Sequence, residues 1–240
     1  MFIPFEHKLY KATFIERPNR FILHCKIDEA GEMVRVHLPD PGRLKELLQY
    51  GATVYLRYSD KKDRKTKWTA VLAHDPFDDT LVSLQTTLVN HLIEKALKEN
   101  KLKAFERFTY KAREYRKGHS RWDFHGSEGD LHHLIEVKSV SLGVKGVGYF
   151  PDAITKRGTK HVQELTSIVA EEKEWLGSIL FVCQRNDLHS VRPAKHIDPT
   201  FAMALQEAKQ KGVNLLAYST YITTEGISLK EEIPVLVKED

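Results

Sequence analysis

Hydrophobic and polar residues alternate in short runs over the first 85 positions, which is the pattern of a small all-β domain. Residues that favour turns separate these runs. Between the third and fourth runs, Asp40 and Pro41 predict the start of a short helix with a leucine stripe, and Gly51 predicts its end. Three strands, a helix and then further strands is the order of an OB-fold barrel. The predicted strands cover residues 9–14, 21–27, 33–38, 53–58, 68–74 and 81–85.

The pattern changes near Thr86, where longer apolar stripes with helical spacing begin to alternate with strands. Residues 178–184 form a continuous apolar run, which is typical of a strand covered on both faces. This order predicts an α/β sandwich, and we expect two domains, over residues 1–85 and 86–240. The predicted helices cover residues 87–100, 159–175 and 199–211, and the predicted strands cover 107–115, 120–124, 133–140, 178–184 and 213–218.

The amino-acid composition excludes several classes of protein but does not identify a ligand. Lys and Arg number 37 against 33 Asp and Glu, so the formal net charge of +4 suits an anionic partner without requiring one. With only two cysteines, Cys25 and Cys183, a disulfide scaffold is excluded and a cysteine zinc site is disfavoured. No apolar run has the length of a signal peptide or a membrane span, and we therefore expect a cytoplasmic protein.

Two acidic residues and a lysine occupy neighbouring predicted strands of the second half. Because side chains alternate along a strand, Glu136 and Lys138 share one face, and the residues on either side of Glu136 point into the core. Asp123 stands between Trp122 and Phe124, so we expect it to project from the face opposite these two and to reach Glu136 across a hairpin. Adjacent carboxylates repel each other unless a cation lies between them. The cofactor predicted is Mg²⁺, or Mn²⁺ in its place.

These positions predict a catalytic set of Asp123, Glu136 and Lys138. Lys138 would orient or deprotonate an attacking water, and the metal would stabilise charge on a scissile phosphate. Asp123 and Glu136 would bind the metal, with Glu114 on the preceding strand as the favoured additional ligand and Glu94 as its alternative. The competing interpretation is a solvated Glu136–Lys138 pair on an exposed strand.

Basic residues cluster on the predicted barrel in loops that commonly contact nucleic acid. A hairpin over residues 57–68 carries most of them, and Trp68 at its end could stack on a base. The alternative is a solvated hairpin with Trp68 in the core. We assign nucleic-acid binding on the barrel to Arg20, Arg43, Arg57, Arg64, Lys65 and Trp68.

A glycine-rich segment over residues 143–158 leads from the candidate catalytic strand into a predicted helix. The backbone amides of such a segment and a helix N-terminus can receive a phosphate. Lys160 and His161 would lie in the first turns of that helix, and both are predicted to bind nucleic acid together with Arg157 from the glycine-rich segment. A purely structural loop is the alternative.

Several strings of this sequence resemble the sugar fermentation stimulation protein A family over essentially the whole chain. The most specific are HLPDPGRL at 37–44 and YFPDA at 149–153, and SRWDF at 120–124 and IEVKSV at 135–140 also match. The resemblance implies an N-terminal OB-fold, a C-terminal domain of the PD-(D/E)xK nuclease type, DNA binding and a role in regulating sugar metabolism, notably that of maltose. The residues at the nuclease-motif positions are Asp123, Glu136 and Lys138.

Three functions compete at this point. The first is a Mg²⁺-dependent nuclease acting on nucleic acid, with DNA as the expected partner. The second is a DNA-binding regulator of genes for sugar metabolism that keeps a nuclease-like fold without cutting. The third is a sugar hydrolase built on paired carboxylates, which is the weakest because a lysine two residues from one acid is not part of that design. No membrane partner is expected, and the oligomeric state stays open, a homodimer being compatible with the sequence.

Overall fold

The computed structural model describes residues 1–78 and 80–237, so Asp79 and the last three positions of the predicted second domain lie outside the described residues. The helices are α1 (Thr86–Lys98), α2 (Lys156–Glu171) and α3 (Pro199–Gln210). The strands are β1 (Phe2–Pro4), β2 (Leu9–Asn19), β3 (Ile22–Ile27), β4 (Met33–His37), β5 (Thr53–Tyr58), β6 (Trp68–His74), β7 (Leu81–Ser83), β8 (Thr109–Lys117), β9 (Ser120–Glu128), β10 (Leu131–Val140), β11 (Leu142–Val144), β12 (Val147–Phe150), β13 (Trp175–Cys183), β14 (Ser190–Pro193), β15 (Asn214–Ile222) and β16 (Gly226–Ile233).

The N-terminal strands form a closed barrel. Their order is β4-β3-β2-β5-β6-β7, and a parallel pairing of β4 with β6 closes the ring. On β3, Leu23, Cys25 and Ile27 are buried inside the barrel and the residues between them are more exposed, as strand alternation requires. The OB-fold prediction for this half of the chain is confirmed.

The prediction of a short helix between Asp40 and Gly51 is wrong, because this segment is a loop that contains a turn but no helix. The Asp40 Oδ1 atom accepts the Gly42 N–H at 2.7 Å, so this side chain closes a tight turn instead of capping a helix. Arg17 donates to the carbonyl oxygens of Gly42 and Arg43, which holds these groups away from helical geometry. The leucine stripe is nevertheless buried in the barrel core.

The second domain is a sandwich around a seven-stranded mixed sheet with the order β1-β16-β15-β13-β10-β9-β8. β10, β13 and β15 are parallel and supply apolar residues to both faces. Helices α2 and α3 pack on one face with Leu134 and Ile179, while α1 packs on the other with Ile135 and Leu180. The α/β domain expected from the sequence is confirmed, with helices on both faces of the sheet.

The two domains are joined by main-chain pairing as well as by the linker at Thr86. β1 belongs to the predicted first domain, yet it pairs with β16 at the edge of the second domain's sheet. The Ser83 N–H at the end of β7 donates to the Gln184 carbonyl at 2.7 Å. Sequence patterns could not show either pairing, because main-chain hydrogen bonds between distant segments leave no local signal.

A buried ion-pair network crosses the domain boundary. Arg185, whose side chain is 1% exposed, lies 2.9 Å from Asp75 and 3.0 Å from Asp78, both of which follow β6 of the barrel, and 2.6 Å from Asp187 of its own domain. Burial by itself would lower the pKa of Arg185, but the carboxylates around it raise the pKa and keep the guanidinium charged. None of the described helices is both long and apolar enough to span a membrane.

Candidate active site

The candidate catalytic residues lie where β9 and β10 stop pairing. Their last paired residues are Phe124 and Ile135. One position further, the Asp123 Oδ2 atom accepts the backbone N–H of Val137 at 2.7 Å, and its Oδ1 atom accepts the Asn90 side-chain amide from α1 at 2.7 Å. The carboxylate therefore takes the place of a main-chain acceptor and is fixed between a strand and a helix.

The orientation expected for Asp123 is only partly correct. Trp122 and Phe124 were expected to share one face, but Trp122 packs in the α2 and α3 core, whereas Phe124 packs in the α1 core on the other face. Glu114 lies opposite Asp123 on β8 and has a φ of +54°, which is rare for a non-glycine residue. Counting faces along β9 therefore does not place the Trp122 and Phe124 side chains correctly.

Glu136 is buried and receives two donors on one oxygen atom. Its Oε1 atom accepts the Lys138 ammonium at 2.5 Å and the His161 Nδ1–H at 2.7 Å, the tautomer being assigned from this contact. Burial acts to raise the pKa of Glu136, but the His161 hydrogen bond and the Lys138 charge outweigh it and the pKa is lowered. Glu136 is therefore held as a carboxylate.

Asp123 has the opposite electrostatic environment. Burial and the nearby charge of Glu136 raise its pKa to about 6, although the Val137 N–H and Lys138 act in the other direction. A cation bound between these two carboxylates would stabilise the ionised form of Asp123. The solvated-pair interpretation of Glu136 and Lys138 is wrong, because Glu136 is 5% exposed and joined to α2 through His161.

The structure brings together two of the three predicted metal ligands. Glu114 is not with Asp123 and Glu136, because its Oε2 atom is 2.6 Å from the Arg121 guanidinium at the surface. Glu94, the alternative ligand, binds Lys98, Tyr110 and Arg113. A metal-binding group of three or more His, Cys, Asp or Glu residues is not found within residues 1–78 and 80–237.

The donor chemistry of Asp123 and Glu136 nevertheless fits Mg²⁺ or Ca²⁺. Both ions take carboxylate oxygens, and Mg²⁺ is usually held by one or two carboxylates together with waters and substrate phosphates. The carboxylates of Asp123 and Glu136 supply such a donor set. Burial is the largest cause of the raised pKa of Asp123, and the charge of Glu136 adds a repulsion that a cation would remove.

A basic pocket of about 600 Å³ opens beside these carboxylates. Its lining includes Arg157, Lys160 and His161 from the first turns of α2, where the sequence predicted Lys160 and His161. The opposite wall, formed by the hairpin between β8 and β9, was not predicted. We call this surface the basic pocket, and its lining residues are Arg116, Gly118, His119, Ser120, Arg121, Lys156, Arg157, Lys160 and His161.

The two walls of the basic pocket are tied together. Glu164 of α2 accepts the His119 backbone N–H and the Ser120 hydroxyl, which fixes the hairpin against the helix. Thr155 caps α2 by accepting the Gly158 N–H at 3.1 Å. The basic hairpin sequence over residues 111–121 could have indicated this wall, but only the fold places it next to α2.

A cleft of about 520 Å³ lies between the two domains, and Lys138 is among the residues that line it. We call it the interdomain cleft. Of the predicted nucleic-acid-binding residues, Arg20 and Arg43 line this cleft from the barrel side. On the second domain, its walls are formed by the end of β10 and by the segment from Tyr149 to Thr155.

The remaining predicted binding residues lie on the barrel hairpin and line neither of these two cavities. Arg57 on β5 is 3.2 Å from Glu6. Arg64 donates to Thr69 within the hairpin. The Trp68 ring packs edge-on against Tyr10 and Tyr58 and also contacts the barrel core, so it is half-buried. Lys65 is exposed in the same loop.

The fold defines a two-domain protein that joins an OB barrel to an α/β domain, and the second domain carries the buried carboxylates of this site. The chain belongs to the sugar fermentation stimulation protein family. Residues 15–84 match the family model described as the SfsA N-terminal OB domain, and residues 87–226 match the one described as the sugar fermentation stimulation protein RE domain.

Relatives of similar length support this assignment. A sugar fermentation stimulation protein homolog from Shouchella clausii is 45% identical over 95% of this chain and 98% of its own length. A homolog from Clostridium botulinum strain Okra is 38% identical over 95% of this chain and 96% of its own. Pyrococcus furiosus SfsA, whose structure was solved in complex with Ca²⁺, superposes with a TM-score of 0.86 at 25% identity and covers 96% of this chain and 97% of its own.

Proposed function

We propose that this protein is a divalent-metal-dependent nuclease that hydrolyses phosphodiester bonds in nucleic acid, with DNA as its substrate. The observation that carries the proposal is the Asp123–Glu136 carboxylate pair, with Lys138 bound to Glu136 and the basic pocket beside it. A purely structural ion pair would not need a neighbouring surface that carries five Lys and Arg side chains.

Each residue has a separate task in this proposal. Asp123 and Glu136 would hold Mg²⁺ or Mn²⁺, which supplies Lewis-acid stabilisation of the phosphate charge when it is bound. Lys138 stands next to these ligands and can orient a water molecule or neutralise a phosphate oxygen. His161 holds the carboxylate of Glu136 in place and lines the basic pocket, where Arg157 and Lys160 would bind the backbone of the substrate.

Cleavage of labelled DNA and RNA oligonucleotides by the purified protein tests the proposal, with Mg²⁺, Mn²⁺ or EDTA present. We expect cleavage only with a metal, and we expect Glu136→Gln to abolish it. Lys138→Ala should keep metal affinity but slow the reaction about 10²- to 10⁴-fold, because it removes a group that acts on water or phosphate.

Glu114→Gln is the matched control, since this carboxylate binds Arg121 and should be dispensable. Calorimetric titration with Mn²⁺ would report metal binding independently of cleavage. If the protein binds DNA but cuts no substrate with any metal, a non-catalytic DNA-binding regulator is the better description. If Glu136→Gln binds Mn²⁺ as tightly as the unmodified protein, the metal site is not at this position.

A further inference from the structure

The Glu136 carboxylate stands between two cavities. Lys138 and His161 bind the same Oε1 atom of Glu136, and Lys138 lines the interdomain cleft whereas His161 lines the basic pocket. A nucleic-acid strand that places a phosphate near this carboxylate can therefore reach both cavities.

The interdomain cleft is small, and a contact between the two domains limits how far it can open. Its volume of about 520 Å³ is in the range of pockets that hold one small molecule. The two domains also touch beside it, because the Arg43 backbone N–H donates to the Asp152 Oδ2 atom at 2.6 Å. Gly42 fits this contact closely, since a Cβ atom there would lie 2.5 Å from Asp152 Oδ2. Moving the walls apart to admit paired strands would work against this contact.

The barrel side of the cleft is held in a fixed shape. The Arg17 guanidinium donates to the carbonyl oxygens of Arg20, Gly42 and Arg43, and so it ties together the two loops that carry the arginines of the cleft. The side chains of Arg20 and Arg43 are exposed and line the cavity. Two separate loops are thus fixed so that two cations face the same space.

The lining has the chemistry of a nucleotide site. The two arginines and Lys138 suit phosphates, and the half-buried Tyr149 offers a ring for stacking of a base. Asp40 and Asp152 line the same cavity and are acceptors for the amino groups of bases. The negative charge of these carboxylates disfavours a phosphate beside them. The sugar-phosphate backbone of a bound nucleotide would therefore lie on the side of the cleft that the arginines line.

We propose that the interdomain cleft binds one unpaired nucleotide of the strand that is cut, so that the protein acts on single strands and unpaired ends in preference to the interior of a duplex. This inference rests on the proposed nuclease function. It goes beyond that function because it states which form of nucleic acid is cut and which cavity, lined by both domains, selects that form.

The test compares three DNA substrates of one sequence: a single strand, a blunt duplex and a duplex with a single-stranded overhang. Cleavage is measured with Mg²⁺, and binding is measured by fluorescence anisotropy in the Glu136→Gln protein. We expect the single strand and the overhang to be cut at least tenfold faster than the blunt duplex. Arg43→Ala should weaken single-strand binding roughly tenfold and leave duplex binding unchanged. Arg35→Ala, an exposed arginine on β4 away from the cleft, is the charge-matched control.

The outcomes separate this inference from the proposed function. If the blunt duplex is cut as fast as the single strand, the inference fails while the nuclease function stands. If the single strand is preferred but Arg43→Ala behaves like Arg35→Ala, the cleft does not hold the nucleotide and the inference also fails. If no substrate is cut under any condition, the proposed function fails first, and the inference about the cut strand fails with it.

Discussion

Asp123 accepts the backbone N–H of Val137 at 2.7 Å, one position beyond the last pair between β9 and β10. The side chain thus performs the hydrogen-bonding task of a main-chain carbonyl at the point where the strands separate. The same contact holds Asp123 next to Glu136 at the point where the two strands separate. One interaction therefore accounts for both the local break in the sheet and the position of the carboxylate pair.

The Asp123 contact predicts different results for two substitutions. In Asp123→Asn, the amide oxygen can still accept the Val137 N–H, and Asn90 can rotate its amide to accept the new N–H group. We expect stability to change by less than about 1 kcal/mol, whereas Asp123→Ala leaves buried donors unpaired and should cost about 1–3 kcal/mol. Urea unfolding measures both. Both variants should lose metal-dependent cleavage, and an active Asp123→Ala protein would contradict the assigned role.

Salt dependence of DNA binding distinguishes the basic pocket from the barrel hairpin. Replacing Arg157 and Lys160 together by Ala should weaken binding for all sequences and reduce the slope of log K against log [salt] by about 1–2, because phosphate contacts are lost. The matched pair is Arg64→Ala with Lys65→Ala, which removes the same charge from the barrel hairpin. An unchanged slope in the second pair would mean that the hairpin is only a solvated loop. Equal losses in both pairs would place nucleic acid on both surfaces.

Asp40 predicts a pH dependence of stability. Burial, the largest cause, raises its pKa to about 6 in the folded protein from an ordinary 3.8, and the Gly42 N–H only partly opposes this. A raised pKa means that Asp40 favours folding below about pH 4 and that this contribution is lost as the pH rises through 6. At neutral pH the ionised group costs about 2–3 kcal/mol. Asp40→Asn should therefore gain stability over the unmodified protein at pH 7 but not at pH 4, in paired urea titrations. A constant difference across this range would disprove the raised pKa.

Arg185 predicts strong coupling between the domains. Arg185→Met leaves the buried Asp75 without its partner, and we expect a loss of about 3–5 kcal/mol in the free energy of unfolding. Asp75→Asn in the same protein should recover part of this loss, since the amide oxygen can still accept the Phe77 N–H without a buried charge. Calorimetry of the single and double variants tests this prediction. The absence of any recovery would show that packing of the Arg185 side chain, and not its charge, is what the site requires.

Local patterns in the sequence were sufficient for most of the regular elements. The helical stripe that begins near Thr86, the buried run that became β13 and the Asp198-Pro199 start of α3 all have strong local signals. The proximity of Asp123 and Glu136 could also be predicted from a hairpin, although the faces of the residues on either side of Asp123 could not.

The failures share one physical cause, which is competition from side-chain contacts that the local sequence pattern does not contain. Asp40 and Pro41 have the pattern of a helix start, but Arg17 binds the carbonyl oxygens that the helix would need. Glu114 is in register with Asp123, yet Arg121 takes its carboxylate. The basic wall at Arg116, His119 and Arg121 depends on α2 lying beside the hairpin, and no local pattern contains that information.

The pairing of β1 with β16 has a consequence for how the chain is made. Every strand of the barrel lies between residues 9 and 83, so the barrel can close early in synthesis, while the rest of the chain is still absent. The sheet that carries Glu136 has its first edge strand at the start of the chain and the partner of that strand at residues 226–233. Contacts of such long sequence separation form late and slowly. The ribosome therefore releases a complete barrel before the sheet that carries Glu136 can gain its edge pairing, so the barrel can fold while that sheet is still unfinished.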